Sequence, residues 1–174
     1  MIWLWLLLAV VLSFSFVIFY GAPYVPSHKK QVHRAFRELY PLGVDDVLVD
    51  IGSGDGVVLR EAAKIGARAI GYEINPVLVL VSRFLSRKYN QVSVIFGDFW
   101  SAKLPDDTTV VYVFSVTRDM KKIIKWMQKE TDRLGRSIQL INYGSELKGM
   151  KVVKNMGAYH LYMFHPLQSS EAQV

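Results

Sequence analysis

This sequence predicts an α/β fold: a mostly parallel sheet ending in a C-terminal antiparallel hairpin, preceded by one N-terminal transmembrane helix. Three observations carry the prediction. From Val47 to Asn142, apolar segments of strand length alternate with segments of helical period, the pattern of a parallel sheet with helices on both faces. A glycine cluster, Gly52, Gly54 and Gly56, follows the first apolar segment. From Ile2 to Tyr20 about nineteen residues carry no charge, just enough to cross a bilayer.

The N-terminal run, residues 1–20, is expected to be a retained anchor. A cleaved signal peptide wants positive charge before its apolar stretch. Here Lys29, Lys30, Arg34 and Arg37 follow it, which by the positive-inside rule places the domain on the cytoplasmic or matrix-equivalent side of a single-pass membrane protein. A buried core helix is a poor alternative, because Trp3, Trp5, Phe14, Phe16, Phe19 and Tyr20 point all round a helix. Residues 21–40 form a linker and a pre-domain helix. Gly21, Pro23 and Pro26 break the anchor, Ser27 caps the next helix, and His28–Leu39 place Val32, Ala35, Phe36 and Leu39 on one face.

Residues 41–167 form the single domain that 174 residues allow. Its expected elements are strand Val47–Ile51, helix Val57–Ile65, strand Ala67–Tyr72, helix Pro76–Tyr89, strand Val92–Phe96 and strand Thr109–Phe114. Helix Arg118–Leu134 and strand Ser137–Asn142 follow. Strands Lys151–Lys154 and Tyr159–Phe164 pair across Asn155-Met156-Gly157, and residues 168–174 form a disordered tail. Cysteine is absent, which excludes disulfides and thiolate metal sites. The net charge of +6 suits an acidic partner. The basic cluster after the apolar run accounts for part of that charge if it lies against anionic headgroups, so nucleic acid is not needed.

The motif with most chemical content is Asp50-Ile51-Gly52-Ser53-Gly54-Asp55-Gly56 at the end of the first strand. Glycine lets the backbone turn sharply and approach a ligand. A pyrophosphate cradle works through helix-terminal N–H groups and disfavours negative side chains, yet Asp50 and Asp55 flank the turn. A ligand carrying a sulfonium and an α-ammonium suits that field better than a dinucleotide. Glu73 and Asn75 end the second strand in Gly71-Tyr72-Glu73-Ile74-Asn75-Pro76, where a carboxylate can accept both hydroxyls of a ribose or merely cap the helix at Pro76. After the third strand, Asp98 can accept from an adenine amino group while Phe99 or Trp100 contacts the ring; a helix-capping or solvated Asp98 is the alternative. In order at consecutive strand ends, the three reinforce one another.

This arrangement resembles the class I S-adenosylmethionine-dependent methyltransferases, with their Rossmann-like domain, over about Val44–Phe164. More narrowly, Ala22-Pro23-Tyr24-Val25-Pro26-Ser27 after a hydrophobic segment, Asp50–Gly56, Gly71–Pro76, Ser82-Arg83 and Asp98-Phe99-Trp100 resemble the membrane-anchored lysine methyltransferases. That family acts on the ATP synthase c subunit and the adenine nucleotide translocase. The resemblance implies S-adenosyl-L-methionine as cofactor, bound by Asp50, Gly52, Ser53, Gly54, Gly56, Glu73, Asn75, Asp98 and Phe99. It further implies a membrane protein as substrate and the lipid bilayer as partner. Val57 departs from the family's Arg after the glycine motif.

Methyl transfer from a sulfonium asks the enzyme to align a neutral nucleophile and exclude water, so no dedicated acid–base pair is required. The residues after the fourth strand, Ser115-Val116-Thr117, lack the Asn/Asp-Pro-Pro-aromatic run with which nucleic-acid amino-methylating enzymes grip a planar amine. The acceptor-channel candidates are Tyr24, Ser115 and Asn142 with Tyr143; Tyr24 is equally an interfacial aromatic. His160 reads as an exposed or hydrogen-bonded strand residue, without metal ligands around it. Lys121, Lys122, Lys125 and Lys129 read as a solvated helix face. Two other functions remain compatible: methylation of a small or lipidic acceptor, and non-catalytic cofactor binding in an assembly protein.

Overall fold

The computed structural model describes residues 2–5 and 27–167. Apart from Ile2–Trp5, the expected anchor lies outside them, as do Tyr24 and the tail 168–174. No helix among the described residues is long and apolar enough to cross a membrane.

Seven strands make one sheet in the order β3-β2-β1-β4-β5-β7-β6. They are β1 (Val47–Ile51), β2 (Arg68–Glu73), β3 (Val92–Phe96), β4 (Val110–Ser115), β5 (Ile138–Gly144), β6 (Lys154–Met156) and β7 (Tyr159–Phe164). β1 pairs in parallel with β2 and β4, β2 with β3, and β4 with β5, while β7 runs antiparallel to both β5 and β6. β1 is buried along its whole length, as a continuous apolar run demands of a central strand covered on both faces. Asp50 is its one polar member.

One face carries α1 (Lys29–Arg34, continued by a wider π turn Ala35–Leu39), α2 (Val57–Ile65) and α3 (Pro76–Ser86). Val32, Ala35, Phe36 and Leu39 of α1 pack with Leu48, Tyr112 and Leu161, and each fully buried large side chain contributes about 1.5–3 kcal/mol. The other face carries α4 (Met120–Leu134), whose Ile123, Trp126 and Met127 pack on Val49, Val113, Leu140 and Phe164. Buried Glu130 anchors this side: it accepts from the Leu104 amide at 2.8 Å and from Arg133 Nη2 at 2.8 Å.

The differences from expectation are local. Ser27 does not cap α1; the cap position is His28, without a side-chain bond. α3 ends three residues before Tyr89, at Ser86, and α4 begins at Met120. The final hairpin closes tighter than expected: Met156 pairs with Tyr159, leaving Gly157-Ala158 as the turn, with Gly157 at φ 59. A two-residue hairpin turn demands such a positive φ to match strand twist. His160 is half-buried and its Nδ1 has no hydrogen-bond partner among the described residues.

Candidate cofactor site

The strand order reverses between β1 and β4, and ligands of such sheets bind beyond the carboxyl ends at that switch point. A cleft of about 400 Å³ opens there, bounded by Asp50, the Gly52–Asp55 turn, Glu73, Asp98–Trp100 and Tyr112–Phe114. The loops after β1, β2 and β3 therefore meet in one place, as their positions at consecutive strand ends predict.

The turn is held by backbone and carboxylate together. The amides of Gly52 and Ser53 donate to the Tyr72 carbonyl at 2.9 and 3.0 Å. Glu73 Oε2 accepts from the Gly54 amide and Oε1 from the Asn75 amide, both at 2.8 Å. Each carboxylate oxygen thus spends one acceptor site on the loops and keeps another. Glycine is required at position 56 for two reasons. Its φ is 78, and a Cβ there would run into Ser82 Oγ of α3. Gly71 answers to space alone, since a Cβ would lie 2.5 Å from Ser53 Oγ and 2.6 Å from Leu59 Cδ1.

Asp50 is 3% exposed and has no cationic partner among the described ion pairs. Burial pushes its carboxyl well above the ordinary carboxylate range, and the neighbouring charges of Glu73 and Asp55 push the same way. A cationic ligand group would favour the ionised form. A sulfonium, an α-ammonium and a ribose diol are what S-adenosylmethionine carries, so the donor set fits that cofactor.

Other expected site residues divide into two groups. Ser53 lies buried in the cleft wall, and Phe99 lines it, its ring centroid 4.3 Å from that of Trp100 and 6.0 Å from that of Trp126. Asp98 also lines it, while its Oδ1 accepts from the Trp100 amide at 3.1 Å; the capping role weighed for it is present. Asn75 and Gly56 stand behind the cleft. Asn75 Oδ1 caps α3 by accepting from the amides of Val77 and Leu78 at 2.9 and 3.4 Å. Ser115 and Asn142 are buried below the loop after β5: Ser115 Oγ and Asn142 Nδ2 both donate to the Ser145 carbonyl, at 3.4 and 2.7 Å. They shape that loop and are not among the residues bounding the cleft.

The cleft also takes in residues that were not expected, four of which bear on its chemistry. Tyr112 and Phe114 bound it from β4, Ser27 from the end of the linker, and Lys122 from α4. Tyr112 stands in register with Asp50 across the β1–β4 pair, a neighbour that only the strand order reveals. The four lysines of α4 are exposed as expected, but Lys122 Nζ also lies 3.9 Å from the Trp100 ring centroid, a cation–π contact at the cleft edge. Its spacing within a lysine series gave no signal of that.

The profile of the ANTKMT methyltransferase domain matches residues 50–151. A lysine N-methyltransferase of Xenopus laevis, named for the c subunit of ATP synthase, is 35% identical over 119 residues, 67% of this chain and 51% of that protein. The ribosomal RNA small subunit methyltransferase A of Thermotoga petrophila is 43% identical over a shorter 89 residues, 49% of this chain and 34% of that protein. The chain thus spans about half the length, or less, of these curated relatives. Among solved structures, an RNA methyltransferase from Salinibacter ruber in complex with S-adenosyl-L-homocysteine superposes with a TM-score of 0.72 at 25% identity, covering 85% of this chain and 98% of that one. The fold is the Rossmann-like class I methyltransferase fold, and with the profile covering more than half of its length, the chain belongs to the ANTKMT methyltransferase family.

Proposed function

We propose that the chain is an S-adenosylmethionine-dependent protein-lysine N-methyltransferase acting on a membrane or membrane-associated protein. The observation that carries the reaction type is the buried Asp50 carboxyl, placed beside Glu73 at a switch-point cleft and held there without a cationic partner among the described residues. When bound, the cofactor supplies a methyl group on a positively charged sulfur. A lysine amine held in line with that methyl group would take it through its lone pair, the C–S electron pair staying on the sulfur.

Two features favour a lysine over a nucleobase. Ser115, the last residue of β4, is buried and turned to the Ser145 carbonyl, and Val116-Thr117 after it carry no side chain that grips a planar amine. From Phe114 at the cleft edge an aromatic row runs through Tyr143 to Tyr159, with ring centroids 5.6 and 4.6 Å apart. Such a row suits an aliphatic stem and, by low polarity, favours the neutral amine that must attack. The name of the Xenopus relative points the same way.

The uncharged run before Gly21, followed by basic residues, supports a membrane-anchored enzyme with its domain on the cytoplasmic or matrix-equivalent side. Incubating the full chain and methyl-labelled cofactor with extracts of cells lacking the gene tests the proposal. Methyl-lysine in a membrane protein band is expected. Label confined to lipid would sink it in favour of a lipidic acceptor, and label confined to RNA would favour the activity named for the Thermotoga relative.

A further inference from the structure

Helix α3 is built inside out. Its buried face consists of Val79, Ser82 and Ser86, and the hydroxyls of both serines lack partners among the described residues. The outward face carries Val77, Leu80, Val81, Phe84 and Leu85 at helical spacing, with Leu80 65% and Phe84 63% exposed. Phe96, at the end of the edge strand on which α3 packs, is 59% exposed as well. A surface helix ordinarily shows the reverse pattern, and a contiguous apolar patch of this kind marks an interaction surface.

The charged residues of α3 and of the segment from it to the end of β3 have one sign. Between Glu73 and Asp98 the chain carries no acidic residue, while Arg83, Arg87 and Lys88 are basic. None of the three joins an ion pair among the described residues. Arg83 donates twice to the Val94 carbonyl, at 3.1 and 2.8 Å. Arg87 and Lys88 follow the apolar stripe at its end, the Arg87 guanidinium 4.2 Å from the Phe84 ring centroid. Apolar side chains bordered by cations with long stems are what a headgroup boundary accommodates.

We propose that the face formed by α3 and the end of β3 rests on an anionic lipid bilayer, with Leu80 and Phe84 at the acyl boundary and Arg87 and Lys88 among the headgroups. This docking surface is separate from the N-terminal run and does not depend on which acceptor is methylated. A second copy packed on the face in parallel would set Arg87 and Lys88 against their own kind. A protein partner would leave the stripe without the hydrogen bonds that protein interfaces carry. Where residues 1–20 anchor the chain as proposed above, the seven residues Gly21–Ser27, at most about 25 Å when extended, would keep the domain close to the bilayer. Because α3 starts just after Glu73, the docked face would bring the cofactor cleft beside the lipid surface.

The absence of cysteine makes the test direct. The full chain, with Leu80→Cys, Phe84→Cys or, as a control on exposed α4, Lys125→Cys, is labelled with an environment-sensitive fluorophore. It is then reconstituted into vesicles of phosphatidylcholine and phosphatidylserine. Severalfold stronger quenching of positions 80 and 84 than of 125 by a shallow lipid-borne quencher is expected. That quenching should weaken in phosphatidylcholine alone and on adding Arg87→Glu with Lys88→Glu. Equal access of all three labels to aqueous iodide would overturn the proposal. Labels at 80 and 84 shielded from iodide yet insensitive to the lipid-borne quencher would also overturn it, showing that protein covers the face, whether a second copy or residues 1–26 of the chain. Quenching unchanged by the charge reversal would refute the anionic assignment.

Discussion

Replacing Glu73 by glutamine removes a charge and one of two acceptor oxygens from the centre of the cleft, and the structure sets the size of the effect. Glu73 accepts from the Gly54 and Asn75 amides at 2.8 Å, and a hydrogen bond to a charged group is worth about 1.5–3 kcal/mol net. Glutamine keeps one of these bonds and turns an NH₂ toward the other amide, so a stability loss of about 1.5–3 kcal/mol is expected. If the remaining acceptor sites hold the ribose hydroxyls, binding loses a similar amount again, roughly 10- to 150-fold in affinity. Calorimetric titration of S-adenosylhomocysteine and of its 2′-deoxy analogue into both proteins separates the two effects. In the parent, loss of the 2′-hydroxyl should weaken binding about tenfold or more; in the variant it should matter little, because its partner is gone. If the two losses simply add in a protein that still unfolds cooperatively, Glu73 holds the loops and not the sugar, and the ribose assignment fails.

Asp50→Asn should raise the melting temperature at neutral pH while abolishing tight cofactor binding. The folded protein holds this carboxyl's pKa above its ordinary value, so its contribution to stability is fully present below the unfolded pKa and is lost as pH rises through the folded one; a melting temperature below the parent's at pH 7 would contradict this. For the same reason cofactor binding should release a proton, seen as a buffer-dependent binding heat near that raised pKa, and a heat independent of buffer would count against cationic contact with Asp50. Gly56→Ala should cost about 1–2 kcal/mol for the left-handed backbone and a further 1–3 kcal/mol for its crowding of Ser82, with the second part recovered by Ser82→Ala; thermal denaturation of the single and double variants decides. Exchanging Gly21–Ser27 for a flexible Gly/Ser stretch should leave cofactor affinity within a few-fold but reduce methyl transfer to membrane acceptors, because Ser27 borders the cleft. Transfer at the parental rate would make the segment a tether only.

The sequence by itself determined the α/β class of the described domain and the meeting of three strand-end loops at one edge of the sheet. Period-2 and helical patterning in strict alternation admits few folds other than a parallel sheet, and Gly52–Gly56, Glu73 and Asp98 each follow a strand directly, so their meeting at the carboxyl edge needs only chain order. Tertiary structure decided what depends on distant parts of the chain. Whether a polar residue near a strand end enters the cleft or ties a loop depends on register: Tyr112 enters it opposite Asp50, whereas Ser115, three residues on, turns to Ser145. That Asn75 Oδ1 caps α3 is likewise visible only in the structure, where a side-chain oxygen followed by two free helical amides accepts from both. The apolar residues of α3 could not be assigned to core or surface from their spacing. Periodicity identifies a stripe, but only the packed sheet shows which side of the helix meets it, and here the small serines and Val79 took that side.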